Sequence, residues 1–142
     1  MSRQPGEPVA RHVSMRESEH FTVYVIDPDP AIRDSVELLL ESGTVDVLGF
    51  ENAKAFLSQY TDKSACCLLV ENALPDINGM KLISDIRKSG SAIPIALMTN
   101  STDQGLAPLA AQLGINCIMR KPLRSQPLLD QVEIMRLSAK SD

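Results

Sequence analysis

Side chains that can bind or transfer charged groups follow four apolar segments of this chain, at the places where strands of a sheet would end. They are Asp27 and Asp29 after the first segment, then Glu71, Thr99 and Lys121. Because the carboxyl ends of parallel strands gather at one edge of an open α/β sheet, we expect these groups to lie close together. Carboxylates, a hydroxyl and an ammonium in one place form a site for charged ligands.

The elements that would position these groups are five apolar segments alternating with five stretches of helical spacing. The predicted strands are Val23–Ile26, Val45–Leu48, Cys66–Val70, Ile93–Met98 and Asn116–Met119. The helical stretches have apolar residues three or four positions apart: Ile32, Val36, Leu39 and Leu40; Ala53, Phe56, Leu57 and Tyr60; Leu82, Ile83 and Ile86; Leu106, Leu109, Ala110 and Leu113; Leu128, Val132 and Met135. This alternation predicts an α/β fold with right-handed crossovers and a doubly wound parallel sheet.

Residues that start and stop helices support this division. Asp29 followed by Pro30 is typical of an N-cap and a first-turn proline. Gly43 and Gly114 are predicted to end the first and fourth helices. The arrangement predicts a flexible arm over residues 1–20, one domain over 21–138 and a short tail over 139–142.

The composition restricts the classes of protein to which the chain can belong. Its 142 residues carry a net charge of -4, which argues against a nucleic-acid or anionic-membrane surface, since both need a basic face. Adjacent Cys66 and Cys67 would point to opposite faces of a strand, so we expect buried free thiols in a reducing compartment. The sequence has no signal-peptide pattern and no apolar segment of membrane-spanning length, which predicts a cytoplasmic protein.

Four features in order resemble the receiver domain of bacterial response regulators. They are Val23–Asp27, the turn Leu74–Gly79, Thr99, and the pair Lys121–Pro122. The likeness covers about residues 23–137. It implies a flavodoxin-like (βα)5 sheet in strand order 2-1-3-4-5 and a non-enzymatic role in two-component or phosphorelay signal transduction. In phrasing, the chain is most similar to receivers that precede a helix-turn-helix output domain.

The resemblance also implies roles for individual residues. In a typical receiver, two acids after the first strand and an aspartate after the third hold Mg²⁺, and that aspartate accepts a phosphoryl group from a histidine kinase. Asp27 matches the first acid, and Thr99 and Lys121 match the hydroxyl and the lysine that bind phosphoryl oxygens. Two positions depart from the pattern, because Pro28 stands in place of the second acid and Glu71 in place of the phosphoacceptor.

These departures predict a degenerate phosphorylation site. Pro28 supplies no carboxylate, and Mg²⁺ demands closely placed oxygen ligands, so metal binding at Asp27 and Glu71 should be weak or absent. Glu71 moves its carboxylate outward by about 1.5 Å, one C–C bond, and phosphoryl transfer is sensitive to such displacements. Asp29 is expected to serve as a helix cap. Ile118 replaces the switching Tyr or Phe of many receivers.

Three functional alternatives remain for such a site. The longer Glu71 could pair with Lys121 and bias the domain toward one conformation without a kinase. The same pair could instead neutralise itself in a relic site, leaving only an interaction module. A third alternative is a phosphorylatable receiver that uses Glu71 or relies on Asp29, since a carboxylate is still present.

An enzyme alternative from another class is a haloacid-dehalogenase-like phosphatase. The triplet Asp27-Pro28-Asp29, the hydroxyl of Thr99 and the later Lys121 imitate its motifs. Such an enzyme needs a further acidic motif for Mg²⁺ after the lysine, and no acid after Lys121 follows an apolar strand. The turn at Leu74–Gly79 also has no role in that scheme.

The partners implied are proteins. The resemblance suggests an output module that regulates transcription, an upstream histidine kinase, and a homodimer through the last strand and helices, without direct nucleic-acid or membrane binding. Arg120, Arg124 and Arg136 are predicted to form a solvated edge or a partner surface there. Asp76 is expected to form a turn.

Overall fold

The computed structural model describes residues 20–61, 65–102 and 105–140, and five strands alternate with five helices within them. The strands are β1 (Phe21–Ile26), β2 (Val45–Phe50), β3 (Cys66–Glu71), β4 (Ile95–Thr99) and β5 (Cys117–Arg120). The helices are α1 (Pro30–Leu40), α2 (Ala53–Gln59), α3 (Gly79–Lys88), α4 (Leu106–Gln112) and α5 (Ser125–Lys140). Every predicted strand is present, with bounds that differ by two residues at most.

The five strands form one parallel sheet in the order β2-β1-β3-β4-β5. This confirms the predicted doubly wound, flavodoxin-like fold. The strand register also explains how distant residues meet, because Ile26 pairs with Val70, Glu71 with Met98, and Thr99 with Arg120. The residues that follow β1 and β5 therefore lie at the same edge of the sheet as the last residues of β3 and β4.

Two apolar cores flank the sheet. One contains Tyr24 and Cys66 and is covered by α2, α3 and α4, whereas the other contains Cys67 and is covered by α1 and α5. The adjacent thiols thus point to opposite faces, as predicted, and both are buried and form no disulfide within the described residues. Burial raises the pKa of Cys67, and it raises the pKa of the half-buried Cys117 to about 11. The thiols of Cys67 and Cys117 are therefore protonated near neutral pH.

Two of the three predicted helix boundaries are confirmed. The Asp29 carboxylate accepts a hydrogen bond of 2.9 Å from the Ala31 amide and caps α1. Gly114 lies just after α4 with a φ of 66°, a conformation that favours glycine. The prediction for Gly43 is wrong, because α1 ends at Leu40 with Glu41 as its cap, in an extended conformation.

The helices bury narrower apolar stripes than the sequence pattern suggests. Leu39, Leu57 and Leu109 were expected to face the core, but they are 39%, 49% and 49% exposed. Short helices present only their central positions to the sheet, since residues at the margins of a stripe turn toward solvent. α5 is the longest helix and buries Ala139, so it continues two residues past the predicted end of the domain.

Arg87 joins the loops at the amino-terminal edge of the sheet. Its guanidinium donates to the carbonyl oxygens of Leu113 at 2.6 Å and Ile93 at 2.8 Å, and to those of Ser91 and Gly114 at 3.1 Å. One side chain at the end of α3 therefore fixes the segments that lead into β4 and β5. Among the described residues, no helix is long and apolar enough to cross a membrane.

Candidate functional site

One ammonium group joins two carboxylates at the carboxyl-terminal edge of the sheet. Lys121 Nζ lies 2.6 Å from Asp27 Oδ2 and also contacts Glu71 Oε1. The side chains of Asp27 and Glu71 are only 1% and 5% exposed, and that of Lys121 is 12% exposed. The three side chains come from the ends of β1, β3 and β5, as the sequence predicted, and they form a nearly buried ionic cluster.

Backbone amides bind the remaining carboxylate oxygens. The Asp29 amide donates to Asp27 Oδ1 at 2.9 Å, and the Ala73 amide donates to Glu71 Oε2 at 2.7 Å. Arg33 Nη1 also donates to the main-chain carbonyl of Asp27 at 2.6 Å, which ties α1 to the end of β1. Each acid is therefore held by a charge and by the backbone, and both are fixed in position.

The same contacts set the charge of Lys121. Burial alone lowers the pKa of its ammonium group, but the hydrogen bonds and negative charges of Asp27 and Glu71 outweigh burial, so the pKa of Lys121 is raised. The amine is consequently protonated across the physiological range. Lys121 acts as a fixed cation in this site and not as a base or nucleophile.

Thr99 borders the cluster without joining it. Its hydroxyl oxygen accepts a hydrogen bond of 2.9 Å from the Ser101 amide, and its carbonyl accepts one of 3.0 Å from the Lys121 amide. In the described part of the chain, no hydrogen bond links Thr99 to Glu71. Glu71 thus reaches the lysine, as the hypothesis required, but it does not engage the hydroxyl.

A cleft of about 520 Å³ opens above these groups. Its lining contains every residue that the sequence singled out for chemistry: Asp27, Asp29, Glu71, Thr99 and Lys121, together with Pro28, Asn72, Ala73, Asn100 and Ser101. Asp29 is exposed at the rim and is engaged as the cap of α1. The structure therefore gathers the predicted residues at one place, with Asp29 at the margin.

The loop between β3 and α3 is held by a close approach of backbones. The Gly79 amide donates to the Asn72 carbonyl at 2.7 Å, and a Cβ at position 79 would lie 2.5 Å from the Glu71 carbonyl oxygen. Only glycine allows α3 to begin so near the end of β3. This contact fixes the main chain of Glu71 and hence the direction of its side chain.

Asp76 has a wider role than the turn that the sequence predicted. Besides accepting from the Ile77 amide, its carboxylate accepts from the amides of Ala53 and Lys54 at 3.1 and 2.8 Å. It therefore caps α2 from a separate loop. Desolvation raises the pKa of Asp76, but the backbone donors together outweigh it and leave the pKa lowered.

The cluster does not fit the usual donor set for a magnesium ion. Mg²⁺ is held by oxygen ligands in near-octahedral geometry, typically carboxylates and water. Here Asp27 and Glu71 already share one ammonium, Pro28 offers no side-chain oxygen, and Asp29 is engaged as a helix cap. Within the described ranges, no group of three or more His, Cys, Asp or Glu side chains could hold a metal ion.

Sequence reasoning missed the groups that position the cluster. Arg33 and the Ala73 amide contact it directly, and Gly79 shapes the loop that carries Glu71. The glycine was visible in the turn, but no spacing rule indicated which carbonyl Arg33 would reach. Ile118, noted as a non-aromatic substitute, packs partly buried against the core under α4.

Comparison with known proteins agrees with the fold. The response regulator receiver domain family matches residues 23–133. The transcriptional regulatory protein FixJ of Bradyrhizobium diazoefficiens is 34% identical over 111 residues, which cover 78% of this chain and 54% of that protein. The transcriptional regulatory protein TdiR of Thauera aromatica is 32% identical over 111 residues, covering 78% and 49%.

A solved structure gives the same result. The response regulator StyR superposes with a TM-score of 0.80 at 27% identity, covering 86% of this chain and 62% of that one. The chain spans about half the length of the curated relatives FixJ and TdiR. The family match covers well over half of the chain, so this protein belongs to the response regulator receiver domains of two-component systems.

Proposed function

We propose that this receiver domain regulates a partner or output module by protein–protein contact, without conventional phosphorylation. It is an atypical receiver in which Glu71 stands where a phosphoacceptor aspartate would stand, and it acts as a signalling domain and not as an enzyme. The match to receiver domains over residues 23–133 favours this over the phosphatase alternative.

The observation that carries the proposal is the shared contact of Lys121 with Glu71 and Asp27. The charge of a buried ammonium between two carboxylates is already balanced, so an added phosphoryl group would stabilise it little. Glu71 presents its oxygens to Lys121 and to the Ala73 amide, two groups that could otherwise bind phosphoryl oxygens. The carboxylate therefore occupies the place that a phosphoryl group would need.

Weak magnesium binding is the second part of the proposal. A divalent ion would have to displace the Lys121 ammonium from both acids, and Pro28 supplies no replacement ligand. Two unit charges about 4 Å apart interact by about 4 kcal/mol at an effective dielectric near 20. The absence of a carboxylate at Pro28 therefore removes an attraction for the metal ion of this order. The domain would thus hold one conformation in the absence of kinase and metal.

Intact-mass measurement after incubation with acetyl phosphate and Mg²⁺ tests this proposal. We expect no phosphoryl adduct on the wild-type chain. The matched variant is Glu71→Asp, which restores the shorter acid while Pro28 remains, so it separates the effect of side-chain length from the effect of the missing ligand. A stoichiometric adduct on Glu71 in the wild type would contradict the proposal.

A phosphorylatable receiver is the second candidate, and one observation favours it. Asp27 and Glu71 keep two carboxylates in a cleft that also contains Thr99 and Lys121. Glutamyl phosphate is chemically feasible, and the same mass experiment decides between the two candidates. An inert interaction module is the third, and it predicts equal partner affinity for the wild type, Glu71→Gln and Glu71→Asp.

The class of partner follows from the relatives. FixJ and TdiR are transcriptional regulatory proteins, and the stretch that matches this chain covers only about half the length of each. We infer that the present domain serves a transcriptional output module, in the same chain or in a partner, and that a histidine kinase is the upstream protein if any phosphoryl donor is used. Acidic overall charge is consistent with protein contacts and not with direct DNA contact.

A further inference from the structure

The outer face of α1 carries acids without a partner among the described residues. Asp34, Glu37, Leu38 and Glu41 recur at helical spacing and line a shallow concavity of about 570 Å³. All four are exposed, and Leu38 is 86% exposed. None of the three acids forms an ion pair with a side chain of the described ranges. We refer to these four residues as the α1 stripe, a negative surface with an apolar centre.

The acids of α3 and α5 differ from those of the α1 stripe, because each has a side-chain partner. The pairs are Lys81 with Asp85, Gln126 with Asp130, and Arg136 with Glu133. α1 also has no basic residue in its last turn, where the partial negative charge of the helix end makes acids unfavourable. A cation from elsewhere in the chain would therefore stabilise this end of the helix.

A segment of matching chemistry precedes β1 in the sequence. Residues 9–16 lie before the described part of the chain, and they contain Arg11 and Arg16, three larger apolar residues and no acid. This segment complements the α1 stripe both in charge and in apolar content. The groove beside β5 would repel it, because its lining contains Arg120 and Arg124 and no acid.

The segment enters the fold beside the end of α1. The Phe21 amide donates to the Thr44 carbonyl at 2.8 Å, and Thr44 is only three residues beyond Glu41. His20 Nε2 also lies 2.6 Å from Asp46 Oδ2, so the residue before β1 is held beside β2. β2 follows α1 directly in the sequence. The chain that leads into β1 therefore starts near the end of α1 that carries the acids.

The linker is long enough for the segment to lie along α1. An extended chain advances about 3.5 Å per residue, so Arg16 and Arg11 can lie up to about 14 Å and about 30 Å from His20. α1 has 11 residues and is about 16 Å long. Residues 9–16 can therefore reach the whole outer face of α1.

We propose that residues 9–16 bind the α1 stripe of the same chain. Arg11 and Arg16 would face its acids, and the apolar residues of the segment would cover Leu38. The short linker favours this contact over the same contact with a second copy, because it gives an effective concentration on the order of millimolar. A protein partner that uses α1 would have to displace the segment first. This inference goes beyond the proposed function and does not depend on the state of Glu71.

Trypsin cleavage after Arg11 in the full chain, followed by intact-mass measurement, tests the proposal. Its rate reports the fraction of released segment, because a bound segment is cleaved only when it opens. Cleavage after Arg3, outside the segment, is the internal reference. We expect the double variant Glu37→Gln and Glu41→Gln to raise the rate after Arg11 by at least about threefold, since two exposed ion pairs, each weak, are lost together.

Matched controls keep the test specific to the α1 stripe. Glu51→Gln removes an exposed charge outside α1 and should leave the rate unchanged. Leu38→Ser should raise the rate, whereas Leu57→Ser, which changes a 49% exposed leucine of α2, should not. Circular dichroism confirms that each variant is folded.

NMR shows whether the contact is made with α1 itself. The variant with Arg11→Glu and Arg16→Glu should shift the amide signals of residues 34–41 relative to the wild type. Arg3→Glu makes the same change of charge outside the segment and should leave these signals in place.

Equal cleavage rates after Arg11 in the wild type and in the Glu37 and Glu41 double variant would overturn the proposal. Protection that grows with protein concentration would also overturn it, because the α1 stripe would then bind a second copy. Either result would leave the Glu71 account intact, since the acetyl phosphate experiment tests that account separately.

Discussion

Two basic side chains secure opposite edges of the same sheet in different ways. Lys121, at the carboxyl-terminal edge, is held by the carboxylates of Asp27 and Glu71. Arg87, at the amino-terminal edge, is held by four neutral backbone carbonyls. The lysine is part of a charge cluster that a metal ion or phosphoryl group would disturb, whereas the arginine joins loops that carry no net charge.

The two basic residues differ in what holds them, since Lys121 lies in an ionic cluster and Arg87 contacts backbone groups. The Lys121 ammonium is held by carboxylates, so any ligand that binds those carboxylates affects it. Burial makes each of these charged groups unfavourable without a partner. The Arg87 guanidinium is held by backbone carbonyls, so its role is to stabilise the positions of the loops. We therefore expect changes at Lys121 to affect stability and ligand response together, and changes at Arg87 to affect stability alone.

Removal of the lysine charge should have the largest effect. Lys121→Met leaves Asp27 and Glu71 buried without a cation, and we expect a loss of about 3–5 kcal/mol in the free energy of unfolding. Urea denaturation measures it. The matched control is Lys81→Met, which breaks an exposed pair with Asp85 and should cost no more than about 1 kcal/mol. Equal losses in the two variants would contradict the ionic account of the cluster.

Removal of the Arg87 guanidinium should lower the free energy of unfolding by less than removal of the Lys121 charge, and it should leave the Lys121 cluster unchanged. Arg87→Leu deprives four carbonyls of their donor, and we expect a loss of about 2–3 kcal/mol in unfolding free energy. Arg87→Lys keeps the charge but cannot reach all four carbonyls, so it should recover only part of the loss. The effect should add to that of Lys121→Met, because the two sites share no partner. Strong non-additivity in the double variant would show that the two edges are coupled.

The close approach at Gly79 connects the scaffold to the cluster. Gly79→Ala forces a Cβ against the Glu71 carbonyl, and we expect a loss of about 1–3 kcal/mol together with altered NMR signals for residues 71–73. Gly43→Ala is the matched control, because no atom lies within 4 Å of its added Cβ. If both variants were equally stable, the described packing of α3 on β3 would be wrong.

The Asp76 cap should give the smallest effect, with a dependence on pH. Asp76→Ala removes the acceptor for the first amides of α2, which we expect to cost about 1 kcal/mol. Because the pKa of Asp76 is lowered in the folded protein, this contribution is present above the unfolded value of about 3.9 and is lost as pH falls through the folded value.

Urea titrations at pH 5 and pH 3 measure this dependence. The advantage of the wild type over the variant should be smaller at pH 3 than at pH 5, because the Asp76 carboxylate becomes protonated as the pH falls. An unchanged difference between them would show that the carboxylate charge plays no part in the cap.

Short-range sequence patterns correctly predicted the structural features that are determined by residues adjacent in the sequence. The cap at Asp29, the left-handed Gly114 and the strand segments follow from short-range rules, and the strand ends indicated the site. The failures concern distant contacts. Arg87 and Asp76 reach loops more than twenty residues away in sequence, and no pattern around them shows which backbone groups will come near.

The other errors concern residues at the edges of the apolar stripes of the helices, which were expected to be buried. Leu57 and Leu109 match a helical stripe, but the width of the sheet beneath decides which residues are covered. The same holds for the cluster itself. The sequence indicated that Glu71 could reach Lys121, but the fact that Asp27 shares the same ammonium depends on the register of β1 against β3.

The central claim is that Glu71 and Asp27 already use the ammonium of Lys121, leaving no site for magnesium and a phosphoryl group. A crystal soaked with Mg²⁺ and beryllofluoride tests it most directly, because this pair of ligands imitates a phosphorylated carboxylate with its metal. We predict electron density for neither ligand and an intact contact between Glu71 and Lys121. Density for both, with beryllium bonded to the Glu71 carboxylate, would contradict the account.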